Sequence, residues 1–176
     1  MPALAERLPA APLSTGMATS FAGNADFHRC LCDLIDSAEH EIADYVIPES
    51  RPDEHDKHIL RAYGGAVRRG VNCRNLIAPE HLALVQSTWD ANFNLRDFLA
   101  KTPHIRVVDK VSGPFTIIDR RKVLLNLANA MDPGEYTTSV VIDDAKLAAS
   151  LLATFDALWS DAEGNQAAIV EAWEAR

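Results

Sequence analysis

The chain has 176 residues, of which 48% are apolar and 24% charged, and its formal net charge is −8 at pH 7. This length and composition suit one globular domain, and the acidic balance argues against unaided nucleic-acid binding, because a phosphate backbone attracts clustered Lys and Arg. Three cysteines without framework spacing indicate a reducing compartment, so we expect a cytoplasmic protein. No apolar run approaches the roughly 20 residues needed to span a bilayer, so we expect no membrane contact.

Residues 1–23 are rich in Pro, Ala and Ser, and we predict a flexible N-terminal arm there. The first regular pattern follows, where Asn24 or Asp26 is suited to cap a helix. Apolar residues then recur on one helical face, at Phe27, Cys30, Leu31, Leu34, Ile35 and Ala38. These residues predict an amphipathic helix that packs against the body of the protein.

The next three elements form a predicted βαβ unit. The stretch EIADYVIPES is a short apolar strand stopped by Pro48, with Glu49 and Ser50 at its carboxyl end. An amphipathic helix follows and ends at Gly70, a residue type that often terminates helices. The stretch VNCRNLIAPE then supplies a second strand. We expect the two strands to be parallel and the crossover right-handed.

The second half of the chain alternates short strands with helical patterns. After a predicted helix that begins at Pro79, the stretches HIRVVD, PFTIID, VLLNL and TTSVVIDD have the character of strands. Asp143 or Asp144 then caps a helix with a strong apolar stripe, and we expect Gly164 to end it before a short helix in 164–176. The order of elements predicts a single α/β domain with a mixed β-sheet flanked by helices.

The segment GPFTIIDRRKVLLNLAN, residues 113–129, resembles the catalytic segment of the phospholipase D superfamily. In that superfamily a strand carries a histidine, a lysine two residues later and an aspartate five residues further on. With Asp119 on the aspartate, Ser112 stands at the histidine position and Pro114 at the lysine position. Neither can attack a phosphodiester or hold its oxygens. The resemblance therefore implies a protein without catalytic residues, which is not an enzyme.

A closer resemblance is to the degenerate phospholipase-D-like effector domain of TrmB-type prokaryotic transcriptional regulators. It covers roughly residues 24–162 and is carried by the stretches IADYVIPES, AVRRGVNCRNLI, PFTIIDRRKVLLNL and LLATFDALWSDA. The resemblance implies a single phospholipase-D-like domain over 24–163 with a sensing or dimerising role. Residues 1–23 are too few for the helix-turn-helix that such regulators carry. We therefore expect no direct DNA contact, a homodimer, and a possible partner in a separate DNA-binding regulator protein.

The expected ligand is a small uncharged molecule at the carboxyl ends of the parallel strands. The superfamily's return strand ends in Gly-Ser-x-Asn, and Asn126, Leu127 and Asn129 stand at the glycine, serine and asparagine positions. The predicted ligand-binding residues are Glu49, Ser50, Ser112, Asn126 and Asn129. Because hydroxyl and amide groups donate and accept hydrogen bonds, they suit a polyol, a sugar or an amide-bearing metabolite. We expect no metal and no other cofactor.

Two other hypotheses remain open at the level of sequence. The chain could be a protein-interaction module that assists or antagonises a full-length regulator, or an enzyme of unrecognised chemistry that uses Glu49, His55 or His104 as acid or base. His55 and Lys57 repeat the His-x-Lys spacing, but Ala62 stands where the aspartate is required. We interpret that spacing as coincidence.

Overall fold

The computed structural model describes residues 18–22, 24–46, 54–78, 104–109, 113–128 and 136–174. Seven strands and three helices lie within these ranges, in the order β1 (Ala18–Ala22), α1 (Asn24–Ser37), β2 (Glu41–Val46), α2 (Glu54–Arg68), β3 (Asn72–Ile77), β4 (Ile105–Val107), β5 (Phe115–Ile118), β6 (Lys122–Ala128), β7 (Tyr136–Asp143) and α3 (Ala145–Glu174). The helix predicted to begin at Pro79 and residues 1–17 of the predicted arm lie outside the described residues.

The seven strands form one mixed sheet in the order β1-β7-β6-β5-β2-β3-β4. β2, β3 and β4 are parallel, whereas the other neighbours are antiparallel. The β2–α2–β3 segment is the predicted βαβ unit, and Gly70 after α2 has a φ of 87°, which a glycine adopts without strain where a helix ends. The α/β class and the mixed sheet flanked by helices are confirmed.

Apolar side chains cover both faces of the sheet. One face packs against α1 and α2 through buried residues that include Leu31, Ile35, Ile42, Ala66, Cys73, Ile118 and Leu124. The other face packs against α3 through Ala43, Tyr45, Leu76, Phe115, Ile117, Val123, Leu152 and Phe155, among others. Burying a side chain of this size contributes about 1.5–3 kcal/mol. The two apolar layers therefore hold the helices in place. A buried polar residue within either layer is an exception that needs its own explanation.

The structure differs from the sequence-based expectation at both ends of the domain. Residues 18–22, which were expected in a flexible arm, form β1 and pair antiparallel with β7. This pairing satisfies backbone groups that a long β7 would otherwise leave open along that edge. At the other end, α3 runs through Gly164 as one helix of 30 residues. A glycine inside a helix costs only about 1 kcal/mol, which is less than ending one helix and nucleating another.

α3 begins where the sequence predicts. The Asp144 carboxylate accepts hydrogen bonds from the backbone N–H of Lys146, at 2.8 Å, and of Leu147, at 3.1 Å. These bonds satisfy two of the N–H groups that a helix start leaves unpaired. No helix within the described ranges combines the length and the apolar character that crossing a bilayer requires.

Candidate functional site

Five buried polar side chains gather on the face of the sheet that α1 and α2 cover. Asp44 in β2 lies opposite Asn75 in β3 and Thr116 in β5, and Asn126 in β6 lies opposite Ser139 in β7. Each is at most 9% exposed. Asp44, Asn75 and Thr116 form one row across the sheet, level with Leu124 of β6, and Asn126 and Ser139 lie in the next row away from the β5–β6 turn. We call this group of Asp44, Asn75, Thr116, Asn126 and Ser139 the polar half-face.

Asp44 is held by two hydroxyl groups. The Thr116 hydroxyl donates to Asp44 Oδ1 at 2.7 Å, and the hydroxyl of Tyr63, which reaches in from α2, donates to Oδ2. Burial raises the pKa of Asp44 to about 6, although the two hydrogen bonds oppose the rise. No Lys, Arg or His among the described residues forms an ion pair with this carboxyl group. Asp44 is therefore a buried acid that changes charge near pH 6.

Asn126 and Ser139 are buried without an apparent purpose in folding. Asn126 is 5% exposed and Ser139 is 1% exposed. Neither the Asn126 amide nor the Ser139 hydroxyl has a hydrogen-bond partner among the described residues. A buried polar group without a partner costs about 1–3 kcal/mol. Two such groups opposite each other on neighbouring strands are therefore a candidate for a role other than stability.

Asp119, the retained member of the superfamily pattern, lies at the opposite end of β5. Its carboxylate accepts hydrogen bonds from the backbone N–H groups of Glu39, His40 and Glu41, at 3.0, 2.8 and 2.9 Å. Burial alone would raise the pKa of Asp119, but these donors outweigh it and lower the pKa below its usual value. Asp119 therefore fixes the connection between α1 and β2.

The turn that carries Asp119 also explains the choice of residue there. Asp119 and Arg120 both have positive φ, 50° and 57°, as in the mirror-image turns that suit tight hairpins. Aspartate tolerates this conformation better than most residues. The distance along β6 from this turn to Asn126 is about 13 Å, at roughly 3.3 Å per residue. Asp119 and Asn126 therefore belong to separate parts of the molecule.

The predicted site residues are only partly within the described ranges. Glu49, Ser50, Ser112 and Asn129 lie outside them. Asn126 is described, and it is on the polar half-face, next to β5, where its backbone N–H donates to the carbonyl of Pro114 at 3.4 Å. Pro114 itself is buried.

The two histidines named as alternative catalysts lie in different parts of the fold. His55 lies in the first turn of α2, in agreement with a helical start for that stretch. His104 is half-buried and precedes β4, and burial lowers its pKa. Its backbone carbonyl accepts a hydrogen bond from the N–H of Asn75 at 2.8 Å. Among the described residues, no group of three His, Cys, Asp or Glu is placed to hold a metal ion.

A charged network on the other face joins α3 to the sheet. Arg74 in β3 bonds Glu41 at 2.6 Å and Asp156 of α3 at 2.7 Å, and Arg120 bonds Glu41 at 2.8 Å. The Arg74 guanidinium also lies 5.0 Å from the ring centre of Phe155, within the range of a cation–π contact. Because each of these charges has an opposite partner, the network serves to hold α3 and is not an open anion site.

Sequence reasoning did not find Asp44, Tyr63, Thr116 or Ser139. The apolar runs EIADYV and PFTIID predict strands, without indicating a polar site on them. A signal was present, because Asp44 and Thr116 each interrupt an otherwise apolar face at period two. Their meeting depends on strand register, which a single run of sequence does not define.

Comparisons with known proteins support the fold seen here. A family model described as a domain of unknown function (DUF7436) matches residues 17–164, and a search of curated proteins finds no match. TrmBL2, an archaeal chromatin protein whose structure is described as showing a novel mode of DNA binding, is similar with a TM-score of 0.61 and 20% identity. That match covers 85% of this chain and 55% of TrmBL2, so the chain spans about half the length of that protein.

Two bacterial proteins match over nearly their whole length. Nuc from Salmonella typhimurium, a phospholipase D family member, has a TM-score of 0.55 and 19% identity, with 82% of this chain and 95% of Nuc covered. NucT from Helicobacter pylori has a TM-score of 0.54 and 15% identity, with 82% and 96% covered. At these identities the likeness shows the fold, which is phospholipase-D-like.

Proposed function

The chain belongs to the family described as a domain of unknown function (DUF7436), and we propose that it is a non-catalytic regulatory domain that binds a small effector molecule. The observation that carries the proposal is Pro114, buried at the start of β5 where the phospholipase D superfamily has its lysine. A proline has neither a positive charge nor a side-chain donor with which to hold a phosphoryl oxygen.

The neighbouring positions support the same proposal. Ser112 stands where a histidine would act as nucleophile, and a serine hydroxyl needs an adjacent general base to act as one. Asp119 is occupied by three backbone N–H groups at the far end of β5. The fold of a phosphodiesterase is thus combined with a different set of side chains.

The regulatory part of the proposal rests on the resemblance to the effector domain of TrmB-type regulators, together with the structural likeness to TrmBL2. In this proposal the domain senses a polyol, a sugar or an amide-bearing metabolite and forms a homodimer. A DNA-binding regulator protein is the corresponding partner. The acidic surface, with a net charge of −8, disfavours direct contact between this domain and DNA.

Assays of hydrolysis and of duplex DNA binding test the proposal. We expect no hydrolysis of bis-p-nitrophenyl phosphate, phosphatidylcholine or DNA above a heat-killed control, and no shift of duplex DNA at physiological salt. An activity that disappears in Asp119→Ala while that variant remains folded would contradict the absence of catalysis. Sub-micromolar DNA binding with a steep salt dependence would contradict the proposed division between this domain and a DNA-binding partner.

A metabolite screen by thermal shift tests the effector part. The compound with the largest stabilisation is measured again on Asn126→Ala and Glu49→Ala, which probe the two sides of the predicted crevice. We expect at least one of these variants to lose the stabilisation. An equal stabilisation in both would place the ligand elsewhere on the domain.

A second candidate function is a protein-interaction module, and the length of α3 favours it. Ala162 is buried against the sheet, whereas Ala167 and Glu171 further along the same helix are exposed. The sequence of this last part contains Ile169, Val170 and Trp173 at helical spacing. Co-purification of a regulator protein that is lost on Trp173→Ala, with no metabolite binding, would favour this function over effector sensing.

A further inference from the structure

The Asn126–Ser139 pair is polar on a face of the sheet where the same two strands carry apolar side chains in the neighbouring row. One step nearer the β5–β6 turn, Leu124 and Val141 lie opposite each other on the same two strands and pack into the core beneath α1. The amide and the hydroxyl occupy the next position on that face and are also buried, at 5% and 1% exposed. Since an apolar pair would avoid the desolvation of unpartnered polar groups, the two side chains suggest a function that opposes stability.

The pair also lies at the end of the sheet where a ligand is expected. The backbone of Asn126 bonds Pro114, at the start of β5, and β5 runs antiparallel to β2. The pair is therefore toward the carboxyl end of β2, which is parallel to β3. In sheets of this class, ligands bind beyond the carboxyl ends of parallel strands.

The side chains of the polar half-face are suited to an uncharged ligand. Asn126 offers a carbonyl oxygen and two N–H donors, and Ser139 offers one donor and two acceptor positions. Side chains directly opposite each other on antiparallel strands have Cβ atoms about 5 Å apart, so one small polar group can reach both. The polar half-face contains no Lys or Arg that would attract an anion.

We propose that Asn126 and Ser139 together form the inner wall of a binding site for an uncharged hydroxyl- or primary-amide-bearing group, with Ser139 as a binding residue that the sequence does not reveal. This inference rests on the effector-binding function proposed above. It adds Ser139 as a binding residue, places the site at a buried position of the sheet and excludes phosphate as the ligand.

The first test is the thermal unfolding of the protein without added compound. Ser139→Ala removes only the hydroxyl, and Asn126→Leu replaces the amide with an apolar group of similar size. We expect the Tm of Ser139→Ala to stay unchanged or to rise by about 2–4 °C, because an unpartnered hydroxyl is removed. A fall of more than about 5 °C would show that the hydroxyl is satisfied inside the folded chain and would overturn the inference. Ser150→Ala, on the exposed side of α3, and Asn72→Leu, exposed on β3, are the matched controls.

The second test uses myo-inositol, nicotinamide and inorganic phosphate as probes of the three ligand chemistries. We expect at least one of the two neutral probes to raise the Tm of the wild type and of both controls. The same probe should leave Ser139→Ala and Asn126→Leu unchanged, and phosphate should stabilise none of them. Equal stabilisation of every variant, stabilisation by phosphate alone, or no stabilisation by either neutral probe would each overturn the inference.

Different results would reject the Asn126–Ser139 site and the proposed non-catalytic, effector-binding function. A compound from the wider screen that stabilises the wild type and both site variants would reject the Asn126–Ser139 site and leave effector binding intact. Phosphodiesterase activity would reject the non-catalytic function whatever the probes do.

Discussion

The pKa of Asp44 makes a quantitative prediction about stability and pH. Burial raises this pKa to about 6, whereas an aspartate in an unfolded chain titrates near 3.9. The folded protein therefore holds a proton on Asp44 between about pH 4 and pH 6 that the unfolded chain has already released. This contribution to stability is fully present below about pH 4 and is lost as the pH rises through 6. At 1.36 kcal/mol per pKa unit, a difference of about 2 units corresponds to about 3 kcal/mol.

Asp44→Asn is the perturbation that isolates this effect. The asparagine has the shape of a protonated aspartate, and its carbonyl oxygen can still accept the hydrogen bond from Thr116. It remains uncharged at every pH, so it removes the desolvation of a carboxylate. We expect the variant to match the wild type within about 1 kcal/mol at pH 4.5, because only one hydrogen bond, that from Tyr63, must rearrange. At pH 8 the variant should be the more stable by about 1–3 kcal/mol.

Urea unfolding followed by tryptophan fluorescence, repeated from pH 4.5 to pH 8, measures the difference. Taking the difference between wild type and variant at each pH cancels the carboxylates that both proteins share. Asp33→Asn, an exposed aspartate on α1, is the control, and its difference from the wild type should not follow the same curve. A difference between Asp44→Asn and the wild type that does not change with pH, or that favours the wild type at pH 8, would refute the reasoning.

The remaining predictions concern the turn, the charged network and assembly. Asp119→Ala should lower the free energy of unfolding by about 3 kcal/mol, because it removes three hydrogen bonds and puts alanine at positive φ. Asp119→Asn should lower it by about 1 kcal/mol. Equal losses for the two variants in urea unfolding would contradict the role of Asp119 in holding the connection between α1 and β2. Arg74→Met should cost about 2–3 kcal/mol and change the fluorescence of Trp159, since Glu41 stays buried with a weaker set of partners; an unchanged midpoint would argue against the network. Light scattering at micromolar concentration should give a dimer, because closed two-fold pairs are the commonest oligomers, and a monomer would count against the dimerising role.

The outcome at Asp119 shows how far a motif can be interpreted from sequence. Its place after a strand predicts a turn residue worth about 1 kcal/mol. The structure adds three backbone donors from residues about 80 positions earlier in the chain. No local pattern reports such a contact, because it forms only when β2 and β5 are paired.

Local signals in the sequence determined most of the architecture. The stripe from Phe27 to Ala38, the βαβ unit whose helix ends at Gly70 and the cap at Asp144 are local signals that the structure confirms. The strands PFTIID and VLLNL also predict a short turn at residues 120–122, which the structure has one residue earlier, at 119–121. They succeed because helix faces, helix stops and tight turns depend on residues within a few positions of one another. The absence of a histidine at position 112 and of a lysine at position 114 is also visible in a short stretch of sequence.

Tertiary structure alone decided which polar residues meet. Asp44 and Thr116 are 72 residues apart in sequence, and Asn126 and Ser139 lie in separate strands, yet register places each pair side by side on one face. β1 likewise became a strand only because β7 offered an open edge. A shift of one residue in any of these pairings would send the side chains to the opposite face. The candidate site is therefore a property of strand register, which arises from packing across the whole sheet and not from any single stretch of sequence.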